Sequence, residues 1–106
     1  MENSKIFNLA ESIKSLVMDE YSATIAKFGA ANNSHHESYA IILEELEEAK
    51  GSTKLFEHSL DWFWDSVKQN TVTNRRLEEM QLIAEQTAAE WIQVAAMCYK
   101  AQKSKE

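Results

Sequence analysis

The chain of 106 residues contains no proline, only two glycines and a single cysteine. Proline and glycine most often interrupt helices and form tight turns, so their scarcity argues against a fold of many short strands. A single cysteine, Cys98, excludes an intramolecular disulfide and fits a reducing compartment. We therefore expect a cytoplasmic protein without disulfide bonds.

Long apolar runs and a surplus of basic residues are also missing. No stretch of about eighteen apolar residues exists, so no transmembrane helix is expected. The first residues lack the basic head and apolar core of a secretion signal. The formal net charge is −6, which is unfavourable for binding the phosphate backbone of nucleic acids. We therefore expect neither a membrane nor a nucleic acid as a partner.

The residues that are present favour helix. Hydrophobic residues make up 44% and charged residues 26% of the chain, which is typical of a globular domain. Apolar residues at helical spacing predict one all-α domain over residues 1–106, with a frayed tail from about 103 to 106. The four predicted helices cover residues 4–28, 34–50, 54–69 and 75–102. Gly29 and Gly51 are expected to end the first two, and the N-cap candidates are Asn33 or Ser34, Ser52 or Thr53, and Thr73 or Asn74.

The predicted second helix, HHESYAIILEELEEAK, holds five glutamates and a full set of large apolar residues. At about 100° per residue, one side of this helix collects Tyr39, Ile42, Leu43 and Leu46. The opposite side collects Glu37, Glu44 and Glu48, with Glu45 about 80° round from Glu37. Like charges four residues apart cost only about 0.2–0.5 kcal/mol per pair. Taken alone, this pattern is typical of a solvated acidic face.

The predicted fourth helix contains the segment TAAEWIQVAAMCY, which is apolar nearly all round and predicts a buried helix. Its one cysteine, Cys98, is expected in the core. Glu90 is its only formal charge, and a buried carboxylate needs a partner because isolated burial is very costly. One alternative is an ion pair with Arg75, Arg76 or a lysine. The other is a cation shared with the second-helix glutamates, and oxygen ligands on rigid helices suit Mg²⁺ or Mn²⁺.

The two segments together resemble a known superfamily. ILEELEEA matches the Glu-Glu-x-x-Glu motif of the MazG-like, all-α nucleoside triphosphate pyrophosphohydrolases. AAEWIQVAAM resembles the second motif of that superfamily, Glu-x-x-Asp, followed by a helix of small residues. Short phage-type and bacterial MazG-like proteins typically read HEGYAVILEEL and EAIQVAAM, compared here with HESYAIILEEL and EWIQVAAM. The resemblance covers roughly residues 28–99, and the long middle segment matches poorly.

The resemblance implies a four-helix MazG-like bundle, assembled as a dimer or a dimer of dimers. It also implies an enzyme that uses Mg²⁺ or Mn²⁺ to convert a nucleoside triphosphate into a monophosphate and pyrophosphate. By the resemblance, the metal ligands are Glu44, Glu45, Glu48 and Glu90. Glu45 is also the candidate that orients or deprotonates the attacking water. Gln93 stands where the superfamily usually has aspartate, and a neutral amide binds Mg²⁺ more weakly and cannot act as a base.

Weaker candidates for substrate contact are Glu37, His36, Gln93, Lys54 and Trp62. Trp62 belongs to an aromatic cluster, LFEHSLDWFWDSV, that can stack on a nucleobase but is more often core or a subunit interface.

An alternative function, favoured by Gln93, is a catalytically degenerate MazG-like module for protein interaction or oligomerisation. A plain helical oligomerisation module, unrelated to that superfamily, is the third possibility.

Overall fold

The computed structural model describes residues 2–104, without the side chains of residues 2–4 and of residue 6. The described residues form three helices, α1 (Glu2–Phe28), α2 (His35–Gln69) and α3 (Asn74–Gln102). The prediction of an all-α fold is confirmed. The prediction of four helices is wrong, because the two middle helices are one continuous helix.

Gly51 lies inside α2 and does not end a helix. A glycine in a helix interior costs about 1 kcal/mol relative to alanine, which is too little to interrupt a helix whose packed face continues on both sides. The hydroxyl of Thr53 donates a hydrogen bond to the carbonyl of Ala49, one turn earlier. Serine and threonine often bond backwards in this way inside helices, so Thr53 does not begin a new helix.

The other predicted helix ends are confirmed. Gly29 ends α1 with a φ of +94°, a conformation that glycine adopts without strain. Ser34 is the N-cap of α2, and its side chain accepts a hydrogen bond from the backbone N–H of Glu37. Thr73 caps α3 in the same way by accepting from the N–H of Arg76. These ends were predictable because each depends on a few neighbouring residues.

Helices α2 and α3 pack along a seam in which buried or half-buried residues recur at alternating spacings of three and four. On α2 the seam is formed by Ser38, Ile42, Glu45, Ala49, Ser52, Phe56, Ser59, Phe63 and Ser66. On α3 it is formed by Arg76, Met80, Ile83, Thr87, Glu90, Val94, Met97 and Ala101. This is the spacing of coiled coils, and it runs through Gly51 without a break.

Two contacts define the register of the seam as antiparallel. The hydroxyls of Ser38 and Ser104 lie 3.5 Å apart, and the hydroxyl of Ser52 donates to a carboxylate oxygen of Glu90. Both pairs fit one register, in which Glu45 is level with Met97. The seam therefore carries Glu45 towards α3, and this carboxylate is not on a fully solvated face.

Helix α1 packs on a second face of α3 through its C-terminal half. The half-buried residues of α1 begin at Val17 and continue to Ile25, whereas the described side chains before Val17 are exposed. The ring of Tyr21 meets the ring of Tyr99 edge to face, with 4.8 Å between the ring centres. The Tyr21 hydroxyl also donates to the carbonyl of Ala30, which ties the end of α1 to the following turn.

Asn32 anchors the connection between α1 and α2 to the end of α3. Its backbone N–H donates to the hydroxyl of Ser104 over 2.9 Å, and its side-chain amide donates to the hydroxyl of Ser38 over 2.8 Å. Ser104 falls within the tail that was expected to fray, yet it is held by these contacts. The last two residues of that tail, 105 and 106, lie outside the described residues.

The hydrophobic core of the described chain is small. Its buried apolar residues are Ala49, Met80, Val94, Ala96 and Met97. The accessible surface is 7877 Å², compared with about 6,000 Å² expected for a compact monomer of 12.1 kDa. The radius of gyration is 17.6 Å, compared with about 13 Å expected for this length. Much apolar surface is therefore uncovered within one chain.

A third face of α3 accounts for part of this uncovered surface. It is a stripe of exposed apolar residues, Leu77, Ala84, Ala88, Trp91, Ala95 and Cys98. The prediction that residues 87–99 are buried all round is wrong for the single chain, because α1 and α2 cover only two of the three faces. The prediction that Cys98 lies in the core is wrong for the same reason.

None of the three helices has a stretch, within residues 2–104, that is both long and apolar enough to cross a membrane.

Candidate functional site

A cavity of about 530 Å³ lies where the C-terminal ends of α1 and α3 meet the N-terminal part of α2. Its size is within the range of about 300–1,000 Å³ that is usual for small-molecule sites. Apolar side chains line it together with the charged side chains of Glu37, Glu44, Glu45 and Lys100 and with amides that include Gln93. Three predicted site glutamates and Gln93 therefore line one cavity.

Glu45 is the half-buried carboxylate of this cavity. It occupies the seam position between Ser38 and Ser52, seven residues from each, which turns it from solvent towards α3. Burial raises the pKa of Glu45 above its ordinary value, and the negative charges of neighbouring glutamates raise it further. In decreasing order of effect, these neighbours are Glu48, Glu44, Glu90 and Glu20. Carboxylates from all three helices thus oppose the ionisation of Glu45.

Glu20 is the member of this group that sequence reasoning missed. It is half-buried on α1, on the face that packs towards α3. The available signal was its helical spacing with Val17 and Thr24, which are half-buried on the same face. That spacing predicts a shared face but does not say which helix it meets, so Glu20 could not be assigned to the site from sequence.

Glu90 is held by a serine. The hydroxyl of Ser52 on α2 donates to Oε1 of Glu90, and within residues 2–104 Glu90 has no basic side chain within salt-bridge distance. Arg75 instead pairs with Glu79 at 3.5 Å, and the guanidinium of Arg76 lies 5.2 Å from the centre of the Trp62 ring. The ion-pair alternative for Glu90 is therefore wrong, and Glu90 does face α2.

The predicted metal ligands are near enough for Glu44, Glu48 and Glu90 to raise the pKa of Glu45. Their carboxylates do not converge on one point. Over the described residues, no three histidine, cysteine, aspartate or glutamate side chains are close enough together to hold a metal ion. Glu90 is level with Ser52, which is two turns, or about 10 Å, along α2 from Glu45. Glu44 and Glu48 are exposed. The donors are all carboxylate oxygens, which suit Mg²⁺ or Mn²⁺ in kind, but a bound ion requires these side chains to turn towards one another.

Glu37 has a structural role at the start of α2. Its carboxylate accepts from the backbone N–H of Asn33 over 2.7 Å, while its own N–H donates to the Ser34 hydroxyl over 3.2 Å. This arrangement resembles a capping box, with the carboxylate bonded to the N–H of the residue before the N-cap instead of the N-cap itself. Glu37 also lines the cavity, so its carboxylate is both a cap and part of the wall.

Three weaker candidates are not among the cavity-lining residues. His36, Lys54 and Trp62 are all exposed. Trp62 is seventeen residues beyond Glu45 on the same helix, which separates the two by about 25 Å along the axis. The structure therefore does not bring Trp62 or its aromatic cluster to the cavity.

Lys100 lines the cavity and is a second residue that sequence reasoning missed. It is only 4% exposed, and its Nζ lies 5.9 Å from the centre of the Phe28 ring. Its position seven residues after Gln93 puts both on one face of α3, and that spacing was the signal that could have found it.

No protein-family model, curated protein sequence or solved structure matches the chain. Two sequence motifs and the geometry of this cavity are therefore the features that bear on function.

Proposed function

We propose that the chain is a metal-dependent nucleoside triphosphate pyrophosphohydrolase of MazG-like type. It would convert a nucleoside or deoxynucleoside triphosphate into the monophosphate and pyrophosphate. The observation that carries this proposal is Glu45, a half-buried carboxylate on the wall of a ligand-sized cavity, whose pKa is raised by burial and then by four other glutamates. Mutually repelling carboxylates beside a cavity favour the binding of a divalent cation. Such a cation would also offset the repulsion between this acidic site and an anionic substrate.

Glu44, Glu45, Glu48 and Glu90 would hold Mg²⁺ or Mn²⁺. When bound, the metal would neutralise negative charge on the phosphates and activate a water molecule. Glu45 would orient the water that attacks the α-phosphorus and accept its proton, since a raised pKa makes a carboxylate a stronger base. The bond between the α-phosphorus and the bridging oxygen then breaks, and pyrophosphate leaves. Gln93 would contribute an amide to the cavity wall and would not act as a base.

We further propose that the protein functions as a homodimer or a dimer of dimers. The chain exposes about 1,900 Å² more surface than a compact monomer of its mass, and a standard interface buries about 800 Å² per partner. The exposed apolar stripe of α3 is the part of that surface where such an interface would form. Two α2–α3 pairs from two chains would supply a four-helix arrangement that one chain does not form. An exposed free thiol at Cys98 fits the reducing conditions of the cytoplasm.

A second candidate is a catalytically degenerate module that binds another protein or oligomerises through the same fold. Gln93 favours it, because the amide removes a charge from the expected ligand set. The separation of Glu90 from the Glu44–Glu48 group also favours it, since no three acids of the described chain converge.

The test is an assay of the purified protein with Mg²⁺ or Mn²⁺ and a panel of nucleoside and deoxynucleoside triphosphates. We expect pyrophosphate release that requires the metal, and a rise in melting temperature when metal is added without nucleotide. If no nucleotide yields pyrophosphate and the metal leaves the melting temperature unchanged, the enzyme proposal is wrong and the interaction module remains.

A further inference from the structure

Lys100 is a buried basic residue without an acidic partner among the described residues. The residue is 4% exposed, and no acceptor among the described residues lies within hydrogen-bond or salt-bridge distance of its Nζ. Yet within residues 2–104 no fully buried side-chain nitrogen or oxygen lacks a partner. The Nζ must therefore retain contact with solvent, and the cavity is the solvent space that Lys100 lines.

Acidic and basic side chains both line the cavity, but among the described residues they do not form ion pairs with one another. Glu37, Glu44 and Glu45 line it together with Lys100, but the ion pairs of the described chain are Lys68 with Asp65 and Arg75 with Glu79. Glu37 is already engaged by the N–H of Asn33. Lys100 and the carboxylates of Glu44 and Glu45 thus present opposite charges to the same solvent space without pairing with one another among the described residues. The fitting ligand carries an anionic group for Lys100 and a cation for the glutamates.

We propose that Lys100 binds a phosphate group of a metal-chelated nucleotide in this cavity. The choice of nucleotide, among phosphorylated ligands, rests on the proposed function. The apolar wall, which includes Phe28, Ile41 and Met97, gives the non-phosphate part of such a ligand a surface to contact. Lysine serves phosphates well because its ammonium is a compact charge with three donors.

The rival explanation is a structural lysine whose methylene stem fills space while the head reaches solvent. Lys100→Met separates the two, because methionine keeps most of the stem and removes the charge. The matched control is Lys27→Met. The Nζ of Lys27 lies 5.3 Å from the centre of the same Phe28 ring, but Lys27 is exposed and does not line the cavity.

The experiment is isothermal titration of the full chain with two kinds of ligand in the presence of Mg²⁺. One kind is a set of nucleoside triphosphate analogues with a methylene bridge between the α- and β-phosphates, and the other is inorganic pyrophosphate. We expect Lys100→Met to weaken binding about tenfold or more, as expected for one lost charge-assisted hydrogen bond. Lys27→Met should leave the Kd within about twofold of the wild-type value.

Thermal melting gives the second readout. Because methionine keeps most of the buried stem and the Nζ has no partner among the described residues, the melting temperature of Lys100→Met should be no lower than that of the wild type. A variant that binds less tightly while melting no lower supports the proposal. A variant that melts lower with unchanged affinity has lost a structural lysine, and the proposal is overturned.

The outcome for Lys100 is separable from the outcome for catalysis. A chain that releases no pyrophosphate but binds the analogues through Lys100 supports this inference and contradicts the enzyme proposal. A chain that releases pyrophosphate with the same KM and Kd in Lys100→Met supports the enzyme and overturns the inference. Failure of the wild-type chain to bind any of these ligands also overturns it.

Discussion

At the scale of single residues, Glu45 is a carboxylate whose ionisation the fold opposes. Its folded-state pKa is raised above the ordinary value of 4.5, so the folded state binds this proton more tightly than the unfolded state. Folding stability therefore falls as pH rises through these two pKa values. We expect Glu45→Gln to raise the melting temperature of the metal-free protein at pH 7 by about 2–4 °C, for relief of about 0.5 kcal/mol of repulsion.

The gain from Glu45→Gln should shrink as pH falls through the folded-state pKa and past 4.5, because Glu45 becomes increasingly protonated in both states. Glu47→Gln is the matched control, since Glu47 is exposed on the same helix and is not among the glutamates that raise the pKa of Glu45. Scanning calorimetry at pH 7 and pH 4 measures both variants. A lower melting temperature for Glu45→Gln at pH 7 would show that its carboxylate stabilises the fold.

The hydrogen bond from Ser52 to Glu90 gives a second residue-scale prediction. Ser52→Ala leaves a half-buried carboxylate without the donor that the structure provides, and we expect a loss of about 1–2 kcal/mol of unfolding free energy at pH 7. Ser66→Ala is the control, because Ser66 occupies the equivalent seam position fourteen residues further along α2. Urea unfolding curves compare the two. Equal effects would mean that the bond to Glu90 contributes nothing specific.

The sequence motifs contain some of the residues that the structure places at the cavity, and they miss others that tertiary packing supplies. Glu44, Glu45 and Gln93 are cavity residues that motif spacing identified. Glu20 reaches the same region only because α1 folds back against α3, and no local pattern contains that packing, so Glu20 could not be placed from sequence. Lys100 shares one face of α3 with Gln93, but the spacing alone does not show that this face is covered by Phe28 of α1.

At the scale of secondary-structure elements, the two glycines have opposite roles that local sequence does not distinguish. Gly29 has a positive φ, whereas Gly51 is inside α2, and an added Cβ at Gly51 would meet nothing within 4 Å. We expect Gly51→Ala to stabilise the protein by about 0.5–1 kcal/mol. Gly29→Ala should destabilise it by about 1 kcal/mol, because alanine is strained at a positive φ.

Chemical denaturation of the two glycine variants checks the continuity of α2. Destabilisation by Gly51→Ala would indicate that a helix ends there, as the sequence alone suggested. That prediction failed because glycine is a common helix terminator, while the evidence against termination lies in the seam. Ala49, Ser52 and Phe56 continue the alternating spacing past Gly51, and such spacing is informative only once the partner helix is known.

At the scale of the whole molecule, the surface that one chain leaves uncovered predicts an assembly. Light scattering coupled to size exclusion should give a mass of two or four times 12.1 kDa. Trp91→Glu places a charge in the exposed stripe of α3 and should shift the protein towards monomer. The free energy of unfolding of the helical chain should then fall, because the stabilising interface is lost. Gln86→Glu adds the same charge to an exposed position of the same helix and should leave the mass unchanged. A wild-type monomer would contradict this prediction.

The most direct test of the central claim is the rate of pyrophosphate release with Mg²⁺ for the wild type, Glu45→Gln and Glu47→Gln. We predict metal-dependent release by the wild type and by Glu47→Gln, and a rate for Glu45→Gln that is lower by about 100-fold or more, as expected for loss of a general base. An inactive wild-type protein, or a Glu45→Gln variant as active as the wild type, would contradict the account.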